Sequence, residues 1–350
     1  MIFVNARFLT QKITGVQRFA IEISIRLKNS LKDEIQFVAP KNILHEEIAQ
    51  KLNVSIVGKT RGHQWEQVTL PLYLKKQKSP LLLNLCNTAP INYSNNIVTV
   101  HDLAFLAHPK WFSWKFRLFY KFLIPKIIDH AKKVITVSQF SKDEIIKRLS
   151  TPENKISIVH NAVSDNLIES KKCSSKSNFI LFVGSQDPRK NIQSIIQAMK
   201  YLPPEIHLKL VGGKADSFNE QLNEIPKEIR HRIHLTGYLP DKELNRLYKD
   251  ANAFVYPSHY EGFGLPPLEA QALSCPVVVS DIPVFREILK DSATYCNQND
   301  PSDIANKINL ICNQTGEERN SMIEKGRRNV ERFSWGESAA IIEKIITHYC

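Results

Sequence analysis

Two glutamates bracket a string rich in glycine and proline, Glu261-Gly-Phe-Gly-Leu-Pro-Pro-Leu-Glu269. Gly262 and Gly264 permit a tight turn and close approach of a ligand to the backbone. Pro266 and Pro267 suit the first positions of a helix, where no amide hydrogen is needed, and Leu268–Leu273 continues it with Glu269 in the first turn. Backbone amides at such a turn and helix start make an anion site suited to a diphosphate. Carboxylates beside an anion site are poor phosphate ligands but good acceptors for hydroxyl groups. One glutamate therefore suits a ribose and the other a second sugar. A lone glutamate here could equally complement the helix dipole or sit solvated in a loop.

Two further groups could join that chemistry. Arg189-Lys190 follows the apolar run Phe179–Val183, with Gly184 opening the loop between them. Cations at a helix start are disfavoured by the dipole, so a basic pair there argues for an anionic ligand. Such cations stabilise charge that develops on a leaving diphosphate. His101-Asp102 follows the run Ile97–Val100. On its own it reads as an ordinary loop pair with Asp102 capping a turn. At the carboxyl end of a strand it lies where ligands bind. No serine elbow accompanies it, so no catalytic triad is read.

The elements that must position these residues alternate along the chain. Strands are predicted at Ile2–Val4, Ile35–Val38, Val54–Val57, Leu81–Leu85, Ile97–Val100, Val134–Val137 and Ile156–Val159, with helices between most of them, as at Val16–Lys28 and Gln139–Leu149. A polar, serine- and lysine-rich run, Glu169–Asn178, reads as a linker. The alternation then restarts with strands at Phe179–Val183, Ile206–Val211, Ile233–Leu235, Ala253–Tyr256, Val277–Val279 and Ala293–Cys296, and with helices at Asn191–Met199, Asp241–Lys249 and Pro283–Leu289. The pattern predicts an α/β protein with two doubly wound sheets and a cleft between two domains.

Length and composition agree. The 350 residues can supply two cores, and 43% apolar with 23% charged residues is ordinary for a globular protein. No apolar run approaches the roughly 20 residues of a membrane-spanning helix. The start, Met1-Ile-Phe-Val-Asn5, reads as a strand and not a signal peptide, which places the protein in the cytoplasm. Six scattered cysteines without a CxxC pair read as reduced thiols. A net charge of +12 favours anionic partners: nucleotide phosphates, nucleic acid or an acidic membrane surface. No Asp-x-Asp occurs to hold a metal on a diphosphate, and no Walker loop or Gly-x-Gly-x-x-Gly is present.

The double-glutamate string resembles the glutamate, seven residues, glutamate motif of glycosyltransferase family 4. The resemblance extends over nearly the whole chain, in order: Thr14-Gly15-Val16-Gln17-Arg18, Val100-His101-Asp102, Val137-Ser138-Gln-Phe-Ser141-Lys142, His160-Asn161-Ala162-Val163, Phe182-Val183-Gly184-Ser185 to Pro188-Arg189-Lys190-Asn191, and Leu235-Thr236-Gly237-Tyr238. It implies the GT-B fold: two Rossmann-like doubly wound domains, residues 1–170 on the acceptor side and 177–333 on the donor side, with a C-terminal helix, 334–350, crossing back to the N-domain. It implies transfer of a hexose with retention from a nucleotide sugar, the donor replacing any cofactor and no metal being required. Arg189 and Lys190 match the basic pair on the diphosphate, Glu269 the ribose-binding glutamate, Glu261 the glutamate near the donor sugar, and His101 a histidine at the sugar and phosphate side. Gly15, Gly184, Tyr238 and the backbone of Gly262, Phe263, Gly264 and Leu265 complete the expected donor-binding set. Two departures stand out. Many members carry an arginine where this chain has Ser185, and the glycine-rich N-terminal loop is reduced to Gly15.

The overall pattern looks most like mannosyltransferases that use GDP-mannose in bacterial O-antigen, capsule or related lipid-linked glycan assembly. The acceptor implied is a lipid-linked saccharide. Rival readings are an epimerase or phosphorylase of the same fold, or a basic membrane- or nucleic-acid-binding module. No recognisable nucleic-acid motif is present, so nucleic acid is not an expected partner.

One segment stands apart. Trp111-Phe-Ser-Trp-Lys-Phe-Arg-Leu-Phe-Tyr-Lys-Phe-Leu-Ile-Pro-Lys126 mixes aromatic and basic residues. On a helix, Phe112, Phe116, Phe119 and Leu123 share one face while Lys115, Phe122 and Lys126 lie elsewhere. Such a helix can lie in an anionic membrane interface, making the enzyme peripheral on the inner face of the plasma membrane. It can equally be a core helix whose cations reach to water.

Overall fold

The computed structural model describes residues 1–168, 177–213 and 225–350. Of the run read as a linker, residues 169–176 lie outside them. The chain divides into two compact units, residues 1–161 with 334–350, and residues 162–333.

The first unit is built on β1 (Ile2–Asn5), β2 (Ile35–Ala39), β3 (Ser55–Ile56), β4 (Leu81–Asn84), β5 (Asn96–Thr99), β6 (Lys133–Thr136) and β7 (Ile156–Ile158). They form one parallel sheet in the order β3-β2-β1-β4-β5-β6-β7. Its central strands are aliphatic runs buried along their length, as a sheet covered on both faces requires. The order reverses between β1 and β4, which opens a crevice at the carboxyl ends of those strands. The helix Gly15–Leu31 starts with Gln17 Oε1 accepting from the Thr14 amide (3.1 Å) and hydroxyl (2.5 Å). Its buried Phe19 meets Trp335 of the last helix, Trp335–Tyr349, edge to face at 5.9 Å.

The second unit carries β8 (Phe179–Val183), β9 (His207–Val211), β10 (Ile233–Gly237), β11 (Ala253–Tyr256), β12 (Val277–Ser280) and β13 (Thr294–Cys296). This sheet is also parallel, in the order β10-β9-β8-β11-β12-β13, and reverses between β8 and β11. All thirteen strands expected from the sequence form, within two residues at either end. The first unit ends at Asn161, ahead of the expected boundary at 170. The reason is local: the short helix Asp165–Ile168 packs against the helix Leu265–Ala272 of the second unit. Cys86, Cys275, Cys296, Cys312 and Cys350 are free thiols.

The aromatic segment forms the helix Trp114–His130, capped by Ser113 Oγ accepting from the Phe116 amide. Its two halves differ. Leu123, Ile124, Ile127 and Ile128 are buried against β5 and β6 residues. The amino-terminal half instead leaves Trp114, Leu118 and Phe122 exposed by 67%, 65% and 55%. These three recur at four-residue spacing and form one stripe, flanked by the exposed Lys115, Arg117, Lys121 and Lys126. The stripe expected from sequence, Phe112, Phe116, Phe119 and Leu123, is the less exposed side. Leu123 is buried and Phe112 packs against the same core. No described helix is long and apolar enough to cross a membrane.

Candidate active site

Most of the expected donor-side residues gather at the carboxyl ends of β8 and β11, where the second sheet reverses. Gly184 follows β8 directly, its amide donating to Val211 O at 2.9 Å. Beyond it, Asp187 folds the single turn Pro188–Lys190. Its Oδ1 accepts from the Arg189 amide (3.0 Å), and its Oδ2 lies 3.3 Å from Arg189 Nε. Asn191, at φ +57°, turns the chain into the helix Ile192–Ala198. Its side-chain amide donates to Pro257 O (3.0 Å) and Gln298 O (2.7 Å), and the His259 amide donates to Arg189 O (2.8 Å). The loop after β8 is thus stitched to the loop after β11.

That stitching brings Lys190 to Glu261. Lys190 Nζ donates to Glu261 Oε1 at 2.6 Å and to Tyr256 Oη at 2.5 Å, and all three residues are buried. Burial draws Lys190 below the ordinary lysine range, against the pull of Glu261. Burial alone would raise Glu261, but Lys190 and Arg189 outweigh it and hold its carboxyl below the ordinary value. Sequence reasoning treated Arg189 and Lys190 as cations awaiting a phosphate. In the folded unit each faces a carboxylate, Asp187 and Glu261 respectively, so the loop is neutral before any anion arrives.

From Glu261 the chain makes the glycine turn. Gly264 takes φ +105°, and a Cβ there would lie 2.7 Å from the Phe285 ring, so the turn admits glycine on two counts. The helix starts at Leu265, one residue ahead of the Pro266 start expected from the sequence, and Pro266 and Pro267 fill its second and third positions, where no amide donor is required. Glu269 therefore lies in the second turn and not the first. It is half-buried, and its Oε2 accepts from the Tyr248 hydroxyl at 3.4 Å. Phe263 turns inward, its ring edge-on to Phe333 at 5.4 Å, so only its main chain can meet a ligand. Leu265 is buried as well, whereas Tyr238, just past β10, is 80% exposed.

His101, in the first unit, follows β5 by two residues. Its Nε2 lies 3.0 Å from Leu85 O, its amide donates to Asn87 Oδ1 (2.7 Å), and its carbonyl accepts from Ser141 Oγ (3.0 Å). Phe19 packs edge-on at 5.0 Å. Burial pushes its pKa down, opposed by Leu85 O and Asp102. A carbonyl only accepts, so Nε2 carries the proton and Nδ1 is the acceptor of the neutral ring. Asp102 Oδ1 accepts from the Ala104 amide at 3.0 Å, the turn-capping role open to it from the start. Gly15 is not in a loop. It is the first residue of its helix, the position that Thr14 and Gln17 prepare, and nothing lies within 4 Å of where its Cβ would stand.

Residues 163–329 match the family model described as glycosyl transferases group 1, and residues 93–167 match the model of glycosyltransferase family 4. The O-antigen chain mannosyltransferase RfbU of Salmonella typhimurium is 31% identical over 327 residues, 89% of this chain and 90% of that protein. The chain belongs to glycosyltransferase family 4. Another relative, the O-antigen chain mannosyltransferase B of Escherichia coli, is 29% identical over 261 residues, covering 70% of this chain and 68% of its own. Among solved structures, WaaG, a glycosyltransferase involved in lipopolysaccharide biosynthesis, superposes with a TM-score of 0.76 at 14% identity over 99% of this chain and all of its own. Anabaena HepE in complex with UDP and glucose gives 0.76 at 16% identity, over 99% and 98%. The fold of this glycosyltransferase is GT-B, its two units being the two Rossmann-like domains.

Sequence reasoning missed Tyr256 and Asp187, and gave Asn191 a place in a motif but no role. Tyr256 was visible only as the end of an apolar strand. Asp187 two residues before Arg189 carried a capping signal that could have been read.

Proposed function

We propose that this glycosyltransferase moves mannose from GDP-mannose, with retention, to a lipid-linked saccharide in the assembly of O-antigen or a related bacterial surface polysaccharide. The observation that carries this reading is the 31% identity with RfbU over 89% of the chain. The site chemistry supports it. The helix starting at Leu265 turns its positive end toward the turn that follows Glu261, where a diphosphate gains from the dipole. Lys190 and Glu261 fix each other, so the carboxylate can receive sugar hydroxyls without moving. Arg189 and Lys190 can share their charge with the leaving diphosphate as it forms. Glu269 takes the ribose, and Tyr238 the exposed rim of the donor site. His101 is a neutral acceptor at Nδ1 and not an acid. Metal-free turnover is part of the reading, because these groups are the ones that meet the diphosphate.

The reading also places the enzyme on the cytoplasmic face of the membrane, touching anionic lipid through Trp114, Leu118, Phe122 and their basic flanks. The donor test is thermal: a ligand of the native state raises apparent stability, by about 2.7 kcal/mol at a concentration 100-fold above its Kd. GDP and GDP-mannose should raise the unfolding temperature where UDP and UDP-glucose do not. NMR of the product should show the anomeric configuration of the donor. Stabilisation by UDP alone, or an inverted product, overturns the donor or the stereochemistry.

A further inference from the structure

The crevice of the first sheet holds a buried polar cluster that the donor reading does not use. Asn5 and Arg7 come from the end of β1, Asn84 and Thr88 from the end of β4, and Glu66 from the π-helical turn Trp65–Thr69. Glu66 Oε1 accepts from Asn5 Nδ2 (2.9 Å), Arg7 Nε (3.1 Å) and Thr88 Oγ1 (2.9 Å). Its Oε2 makes no aligned hydrogen bond. The group facing it is His63 Nδ1, at 3.4 Å, itself buried and unaligned. Burial would raise Glu66, but Arg7, His63, Asn5 and Thr88 together hold it ionised. A buried carboxylate with one oxygen underused, on a π turn, is the kind of imperfection that marks sites rather than cores.

His63 is the face this cluster turns outward. Its side chain is 37% exposed while that of Glu66 is 1% exposed. A carboxylate only accepts, so the Nδ1 that faces Glu66 is the protonated nitrogen and Nε2 is the one turned away from it. Tyr120 Oη makes a long hydrogen bond to Nε2 at 3.5 Å, a weak contact that a closer hydroxyl donor can displace. The Phe119 ring, half exposed, lies 4.9 Å from the imidazole. Arg7 cancels the charge of Glu66, so the site favours neutral hydroxyls over phosphate. An apolar ring beside one fixed acceptor suits a pyranose, whose C–H face is apolar and whose rim is hydroxyl.

We propose that His63, oriented by Glu66, binds a hydroxyl of the saccharide acceptor while the acceptor ring lies against Phe119. The proposal rests on the reading of this enzyme as acting on a saccharide acceptor. It adds that the sugar enters beside the same helix whose outer stripe carries Trp114, Leu118 and Phe122.

The test uses full-length enzyme with its histidines carbon-13 labelled and, as probes, the methyl pyranosides of mannose, glucose, galactose, rhamnose and N-acetylglucosamine. At least one should shift the His63 Cε1–H resonance. His63→Ala should weaken that glycoside's binding at least tenfold, and Phe119→Ala should weaken it as well. GDP binding, measured on the same samples, should stay within twofold of wild type. If no glycoside moves the His63 resonance, or if His63→Ala lowers the unfolding temperature and leaves glycoside binding unchanged, the pair is structural and the proposal fails. Loss of GDP binding by the wild type would instead count against the donor reading, a result separate from this one.

Discussion

Lys190 Nζ sits 2.6 Å from Glu261 Oε1, and neither side chain is more than 9% exposed. A charged pair so deeply placed contributes little net stability, yet removing one member strands the other. Lys190→Ala should therefore cost about 3–5 kcal/mol of stability as well as most of the turnover. The double change Lys190→Met with Glu261→Gln separates the two effects. It should recover much of the stability in urea titrations and stay inactive. Near-normal turnover in either protein would remove the pair from the chemistry.

The two glutamates of the string should part in function. Glu269→Ala should weaken binding of bare GDP about tenfold or more, since a hydrogen bond from a hydroxyl to a charged group contributes ~1.5–3 kcal/mol. Glu261→Gln should leave bare GDP binding nearly unchanged and depress sugar transfer. Calorimetric titration with GDP, beside turnover with GDP-mannose, decides it. Equal losses of nucleotide affinity in both variants contradict the assignment.

His101 predicts a pH effect. Its folded pKa lies below the unfolded value of about 6.5, so the folded state binds fewer protons in that range. Its contribution is full above pH ~6.5 and is lost as pH falls toward the folded pKa, at up to about 1.4 kcal/mol per pH unit. His101→Gln keeps an N–H that can donate to Leu85 O but cannot titrate. Its stability should fall less steeply than that of wild type between about pH 6.5 and 5. Parallel slopes in denaturant titrations would show that His101 titrates alike folded and unfolded.

Turnover should continue when EDTA is present. On the proposed reading the leaving diphosphate meets the helix start at Leu265, Arg189 and Lys190, all of which belong to the chain. Loss of activity in EDTA with recovery on adding manganese or magnesium would show that a divalent ion shares that work.

The strands were legible because parallel strands buried on both faces are near-continuous aliphatic runs, and Leu81–Leu83 or Val277–Val279 can hardly be read otherwise. The helix start was legible to within one residue, because Pro266 and Pro267 suit first-turn positions that need no amide hydrogen, and the helix begins at Leu265 just ahead of them. Pairing was the part that sequence hides. Lys190 and Glu261 lie 71 residues apart, and Arg7 and Glu66 lie 59 apart. Nothing local marks either as a partner of the other. Exposure was hidden too. The periodicity of Trp114–His130 defines several stripes, and only packing against β5 and β6 shows which one is left outside.

That outer stripe carries the last prediction. Trp114, Leu118 and Phe122 project from one side of a helix whose opposite side is anchored by Ile124, Ile127 and Ile128. Aromatic side chains favour the headgroup region of a bilayer. Each cation near an anionic surface adds about 1 kcal/mol at physiological salt, and Lys115, Arg117, Lys121 and Lys126 flank the stripe, all exposed. Lys126 also stacks over Phe122, its Nζ 3.8 Å from the ring centroid, so charge and ring present together. The wild type should sediment with anionic vesicles, bind neutral ones poorly, and come off at high salt as charge is screened. Replacing Lys115, Arg117 and Lys121 together should weaken binding to anionic vesicles by up to about 3 kcal/mol, roughly a hundredfold. Trp114→Ala with Leu118→Ala and Phe122→Ala should weaken it even at low salt, because that contribution is apolar. Since all six side chains are exposed, neither set should disturb folding by more than a few tenths of a kcal/mol at each site. If both sets bind anionic vesicles as the wild type does, the stripe faces something other than lipid.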